Sequence, residues 1–176
     1  TLYAKWTKDA YKNKVTITFN SNTGNTSQTK TQVIGSDTST AFGGKLNANT
    51  FTLDGWTFRG WNTEKNGSGK AYTNEQEVTF TSASGDALTL YAQWYRFNAD
   101  GSITIPGKDS TPNTDKDVTI HPNGNENPSI DDKGNVKVPN GAEVTTPNGT
   151  IIPPDGSVVK PDGTIIGIHK PSVELP

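Results

Sequence analysis

All four tryptophans (Trp6, Trp56, Trp61, Trp94) and all five tyrosines (Tyr3, Tyr11, Tyr72, Tyr91, Tyr95) precede residue 96. Large rings close a small core with few side chains, so an aromatic core is available only to the first half of the chain. From about Asn98 onward a different signal takes over. Pro-(Asn/Asp)-Gly recurs as Pro122-Asn123-Gly124, Pro139-Asn140-Gly141, Pro147-Asn148-Gly149, Pro154-Asp155-Gly156 and Pro161-Asp162-Gly163, the last four seven or eight residues apart. Such triplets set turns and end helices, so the second half must be built from short segments. The shift in composition near residues 95–100 marks the boundary between two regions.

A five-residue motif occurs twice, as Leu2-Tyr3-Ala4-Lys5-Trp6 and as Leu90-Tyr91-Ala92-Gln93-Trp94. A complete unit, roughly Val15 to Trp94, leads up to the second copy, whereas the first copy stands without the unit that should precede it. Recurrence of this kind is the mark of modular arrays, and it predicts a longer parent protein.

Only 30% of the 176 residues are apolar, with 18 Gly and 11 Pro, which argues against one large core. The net charge is -2 and the lysines are scattered. No basic stripe for nucleic acid or an anionic membrane results. No apolar run reaches the roughly 18 residues of a spanning helix, and no insertion into a membrane is expected. Cysteine is absent, which removes disulfides, thiolate metal sites and cysteine nucleophiles together. A polar, Thr-, Asn- and Gly-rich chain without cysteine fits exported surface proteins of organisms that do not rely on disulfides, so the expected location is extracellular, secreted or attached to the cell wall.

Within the first half, Val15-Thr16-Ile17-Thr18-Phe19-Asn20 and Leu88-Thr89-Leu90-Tyr91-Ala92-Gln93-Trp94 alternate apolar and polar residues, the pattern of half-buried strands. Asn20-Ser21-Asn22-Thr23-Gly24-Asn25 reads as a turn, and Val78-Thr79-Phe80 as a short strand. Trp56-Thr57-Phe58-Arg59-Gly60-Trp61 alternates until Gly60, which predicts a bulge or a close approach there. No window shows helical periodicity, and any helix is restricted to a turn or two within Ser36 to Asn49.

The order Ile17-Thr18-Phe19-Asn20-Ser21-Asn22-Thr23-Gly24, then Gly55-Trp56-Thr57-Phe58-Arg59-Gly60-Trp61-Asn62-Thr63, then Gly67-Ser68-Gly69-Lys70-Ala71-Tyr72, then Leu90-Tyr91-Ala92-Gln93-Trp94 resembles the internalin-type B repeat, also called the Listeria-Bacteroides repeat. The resemblance covers residues 15–94 and, in part, 1–6. It implies a small β-grasp-like (ubiquitin-like) module strung along a bacterial surface protein, with adhesion or contact to a host protein as its role. Thr23-Gly24 stands where the family has Gly-Gly, Gly55-Trp56 where it has Gly-Tyr, and the segment Thr31 to Asp54 is longer than usual.

In the second half, reading Asp155-Gly156 and Asp162-Gly163 as two-residue turns predicts one narrow, elongated meander. Ile152, Val159 and Ile166 then fall in one cross-strand row, with no thick core. The rival reading over residues 134–169 is a disordered Pro/Gly-rich stalk, which low hydropathy and donor-less prolines favour. Regular turn spacing favours the ladder. Lys108 to Asp117 offers little to bury and reads as a linker.

Candidate chemistry is sparse. His121 and His169 lie far apart with no carboxylate or hydroxyl partner in a defined cleft, and both read as exposed strand-end residues. Asp131-Asp132-Lys133-Gly134-Asn135 has the oxygen-rich look of a calcium loop, but the alternating acidic spacing and closing Glu are missing, so it reads as a turn. Glu75 and Glu77 sit on a probable loop and not in a cleft. Trp61 and Trp94 read as core more readily than as sugar platforms. No catalytic, cofactor-binding or metal-binding residue is assigned, and no enzyme activity is expected.

These observations divide the chain into a remnant and linker (1–14), the mainly β repeat (15–97), a linker (98–117) and a Pro/Gly-punctuated β extension (118–176). The expected role is a non-catalytic repeat and spacer region, in contact with neighbouring repeats and with a host or cell-surface protein or glycan. The alternative is an accessory, substrate-holding region of a secreted carbohydrate-active enzyme. Any binding is expected to reside in the repeat, which holds nearly all the aromatics that dominate interface hot spots.

Overall fold

The computed structural model describes residues 11–107, 112 and 115–167, so the first motif copy, His169 and parts of both expected linkers lie outside the described residues. The fold is mainly β, and no α-helix occurs among the described residues. In the first half, β1 (Asn13–Asn20), β2 (Thr29–Ser36), β4 (Thr57–Asn62), β5 (Ala71–Tyr72) and β7 (Ala87–Phe97) form one sheet, while β3 (Ala41–Lys45) pairs with β6 (Glu77–Thr81) in a separate ribbon. β1 and β2 form an antiparallel pair over eight residues. β1 and β7 pair in parallel from Thr16↔Ala87 to Asn20↔Tyr91.

The alternation in the sequence explains this sheet. Val15, Ile17 and Phe19 on β1 and Leu90, Ala92 and Trp94 on β7 are buried on one face, and their polar neighbours face away. A β-grasp lays a helix across such a face. Here the β3/β6 ribbon and the loop between β3 and β4 cover the face instead, contributing Val78, Leu46 and Phe51 to the same cluster. The stretch Ser36 to Asn49, where a short helix had room, holds β3. The bulge at Gly60 is present: the β4/β7 register shifts between Phe58 and Gly60, and Gly60 has φ 139. That extra residue turns Trp61 into the core, where it packs against Phe19, Phe58 and Phe51 at centroid distances of 4.8, 4.9 and 6.2 Å.

The sheet does not stop at the repeat. β7 runs on through Arg96 and Phe97 to pair with β8 (Ile103–Ile105), which pairs with β9 (Val118–Ile120), and then come β12 (Val144–Thr146) and β13 (Gly149–Ile151). β8 lies inside the stretch 98–117 expected to be a linker, and all three of its residues are buried. Ile103 and Ile105 supply the apolar alternation that a linker lacks, and Asp100 holds the preceding turn through bonds from the Ser102 amide and hydroxyl.

A second sheet, β10 (Ser129–Ile130), β11 (Val136–Lys137), β14 (Val158–Val159) and β15 (Ile165–Ile166), faces this extension. A largely aliphatic core lies between them, including Ile105, Ile120, Val136, Val144 and Val159, each 0% exposed, with Tyr95 of β7 packed into it. The expected narrow meander with no thick core is therefore corrected to a small two-sheet arrangement around a buried one. The expected row of Ile152, Val159 and Ile166 is also corrected: Val159 lies opposite Ile165, Val158 opposite Ile166, and Ile152 is 65% exposed.

The reason lies in the triplets, which do two different jobs. Pro147-Asn148-Gly149 and Pro161-Asp162-Gly163 close hairpins within one sheet, whereas those at Pro122, Pro139 and Pro154 carry the chain between sheets. Pro153 and Pro154 have no N–H to give to a ladder, so β13 cannot extend to the turn and pair with β14. Ser157 instead donates its hydroxyl to the Pro154 carbonyl, and the Gly156 amide donates to Asn140 Oδ1 at 3.2 Å. The glycine of every triplet has positive φ.

Candidate interaction surfaces and the junction

The side chains singled out for chemistry are occupied structurally. Trp61 and Trp94 are buried in the aromatic core, and the Trp94 indole donates to the Ser21 carbonyl at 2.8 Å. Trp56 is also buried, with the Arg96 guanidinium 4.9 Å from its ring. Glu75 pairs with Lys45 at 2.9 Å on the surface. His121 Nε2 meets Thr145 Oγ1 at 2.9 Å at an exposed position. Among the described residues, no group of three or more His, Asp or Glu side chains is placed to hold a metal ion, and no helix is long and apolar enough to cross a membrane.

The stretch Asp131 to Asn135 is the tip of the β10/β11 hairpin. Asp131 Oδ1 accepts from the amides of Lys133 and Asn135, and Oδ2 accepts from the Asn135 side chain. Burial raises the Asp131 pKa, but the hydrogen bonds from Asn135, Lys133 and Gly134 outweigh it and hold the carboxyl below its ordinary value. A carboxylate that spends its lone pairs on its own turn is a turn-former, as the sequence reading had it.

This tip is also where the second sheet is pinned to the repeat. The Gly134 carbonyl accepts from Arg59 Nη1 at 3.0 Å and from the Tyr95 hydroxyl at 2.8 Å, while the Arg59 guanidinium stacks 4.3 Å from the Tyr95 ring. Gly134 has φ 82, and a Cβ there would overlap the guanidinium. Burial pushes the Arg59 pKa down, with Tyr95 and Asp131 acting in the opposite direction, and burial pushes the Tyr95 phenol up. A guanidinium spreads its charge over a plane and is only weakly hydrated, so it tolerates such a site where an ammonium would not. Nothing in the sequence pointed to Arg59 as the link, because its partner lies 75 residues away.

Two asparagines organise the repeat's loops. Asn62 donates to the carbonyls of Gly67 and Gly69 and accepts from the amides of Glu64 and Gly69, so one side chain fixes the loop over residues 63–69. A Cβ at Gly69 would collide with Thr63 Oγ1, which accounts for glycine there. Asn22, at φ 55, donates to the carbonyls of Lys65 and Ala92. Loop spacing alone could have suggested such a role for Asn62, but not its four partners.

Among the described residues, β2 and β13 end the main path of the large sheet and β10 and β15 end the smaller one, so each leaves an unpaired strand edge. An open edge offers main-chain donors and acceptors to another strand. Val33 on β2 is 48% exposed, Ile151 on β13 46% and Ile166 on β15 41%. Between β13 and β15 lies an open groove of about 910 Å³, lined by Val118, Pro147, Ile151 and Ile165 among others.

The family comparison bears on the first half. Residues 16–93 match the family described as the Listeria-Bacteroides repeat domain. A protein of Evansella cellulosilytica described as a Gly-rich membrane protein is 37% identical over 97 residues, which cover 53% of this chain and 10% of that protein. The chain thus spans about a tenth of that relative's length. No solved structure gives a significant match.

Proposed function

We propose that this chain is a non-catalytic repeat and spacer region of a secreted or cell-wall-attached bacterial surface protein, serving adhesion or protein–protein contact. The repeat match at residues 16–93 and the likeness to a Gly-rich membrane protein support a surface role. The observation that carries the spacer reading is the parallel pairing of β1 with β7. From the Thr16↔Ala87 register, the chain enters at Asn13 and leaves the repeat at Phe97, thirteen residues farther along the strand direction. At the rise of an extended strand that is about 40 Å. Each repeat of this design adds length instead of folding the chain back on itself.

Contact with a host or cell-surface protein or glycan would fall on β2, the long free edge of the repeat. Eight residues in extended conformation can accept a partner's strand through main-chain bonds. The buried Trp56, Trp61 and Trp94 give no support to the reading as a sugar-holding accessory region, since they expose no stacking face. The test is a binding screen of the full chain against bacterial and host surface proteins and glycans, repeated with Val33→Lys on β2 and Ile152→Lys beside β13. Binding lost in the first variant alone supports contact through the repeat. Binding lost in the second alone moves the contact to the other half and overturns this assignment.

A further inference from the structure

We propose that the repeat is a mechanical clamp, built so that tension along the chain is met by all of the β1/β7 bonds at once. This rests on the spacer reading, but the pulling test below involves no partner, so its failure is distinct from a failure of the binding screen.

The geometry is that of two parallel neighbours loaded at opposite ends. Tension enters β1 at Asn13 and draws it back toward its start, while tension beyond Phe97 draws β7 forward toward its end. The two strands are pulled past one another along their length. Bonds that lie across the direction of pull share the load and fail together, whereas a hairpin pulled from its two ends opens one pair at a time. Five register pairs, Thr16↔Ala87 to Asn20↔Tyr91, share it here.

Further bonds extend the same seam at both ends. Before the ladder, the Thr16 amide donates to the Asp86 carbonyl at 2.8 Å. Beyond it, Asn22 Nδ2 donates to the Ala92 carbonyl at 2.9 Å, and Trp94 Nε1 donates to the Ser21 carbonyl at 2.8 Å, both buried. The turn after β1 is therefore latched to β7 by two side chains. Water cannot easily replace these bonds as they stretch, because Ile17, Phe19 and Leu90 seal the seam from the core side. A slip by one residue would also turn these apolar side chains to the wrong face, so strand sliding and core disruption must occur together. β1 and β7 are each anchored on their far sides, β1 by eight pairs to β2 and β7 by its pairs to β4.

The chain has no cysteine, so two introduced ones give unique attachment points for optical tweezers. Handles at Lys12→Cys and Ala99→Cys load β1 and β7 in shear. Handles at Lys12→Cys and Ala83→Cys pull the same folded molecule from one end of the pair and peel it. All three positions are exposed. A several-fold higher unfolding force is expected on the first axis, with a length gain of roughly 25 nm as the repeat extends. Equal forces on the two axes would overturn the proposal. Trp94→Phe, which keeps an aromatic ring in the core and deletes the N–H donor, should lower the force on the first axis and leave the second nearly unchanged. An equal loss on both axes would show the indole bond to be general packing support and would remove it from the clamp.

Discussion

The repeat and the region after it reach a buried core by different routes. In the repeat, a sheet with an eight-pair and two five-pair ladders is covered by a ribbon and a loop, and rings of Phe19, Phe51, Phe58 and Trp61 fill the space between. In the second half the ladders are two or three pairs long and the core is aliphatic apart from Tyr95 of β7, yet Val136, Val144 and Val159 are as fully buried as any ring. Small side chains suffice there because two sheets face each other and each needs to supply only half the thickness. In the repeat only a narrow two-stranded ribbon and a loop face the sheet, and bulky rings fill the gap.

That contrast predicts where each half is most fragile. Trp61→Ala should be the most damaging substitution, removing a side chain 2% exposed that touches three other rings, at a cost of about 3 to 5 kcal/mol. Thermal melting followed by tryptophan fluorescence should show the repeat's transition displaced or lost. Ile120→Ala in the aliphatic core should cost about 2 to 4 kcal/mol, and near-UV circular dichroism from the repeat should survive it better than it survives Trp61→Ala. If both substitutions abolish the near-UV signal alike, the two cores are one cooperative unit and the contrast breaks down.

The junction sharpens the comparison further. Arg59→Met keeps an apolar stem but removes the donor to Gly134 and the charge over Tyr95, which should cost roughly 1.5 to 3 kcal/mol. Proteolysis should then cut the β10/β11 hairpin faster while the repeat stays resistant. An unchanged cleavage pattern would mean that the extension holds itself. Gly156→Val puts a β-branched residue at φ 81 and should cost about 1 to 3 kcal/mol, localised to the crossing between β13 and β14. Amide exchange in the β12/β13 hairpin should change less than in the β14/β15 hairpin.

The smallest effect concerns acid. The Asp131 carboxyl titrates below its ordinary value in the folded state, so its contribution is fully present above the ordinary carboxylate range. It is lost as pH falls through the depressed value. Asp131→Asn should flatten the acid limb of stability of the second half while leaving that of the repeat in place. A mutant with an unaltered acid limb would show that this turn plays no part in it.

How much of this could be read from residues alone follows from the range of each interaction. Strand β1, strand β7, the bulge at Gly60 and the burial of Trp61 were legible, because alternation and a glycine between rings are local signals. The Pro-(Asn/Asp)-Gly turns were legible as turns, but their destinations were not. Whether a turn closes a hairpin or crosses to another sheet depends on what lies opposite, as Pro153 and Pro154 show. Strand β8 was hidden because three residues are too few to display a period, and Ile103 and Ile105 declare themselves only beside Val118 and Ile120. Arg59 and Asn22 were invisible as organisers because their partners are backbone carbonyls, which carry no sequence signature, and loop spacing around Asn62 does not say which backbone groups it holds.

The central claim is that the repeat continues into the region after it through β7 and β8, where a composition boundary suggested a linker. Amide hydrogen exchange along residues 94–105 of the full chain tests it most directly. A continuous sheet predicts that the amides of β8 and the end of β7 exchange as slowly as those at the outer strands of the repeat. Exchange at the rate of an unstructured chain from Asn98 to Ile105, with the repeat still protected, would contradict it.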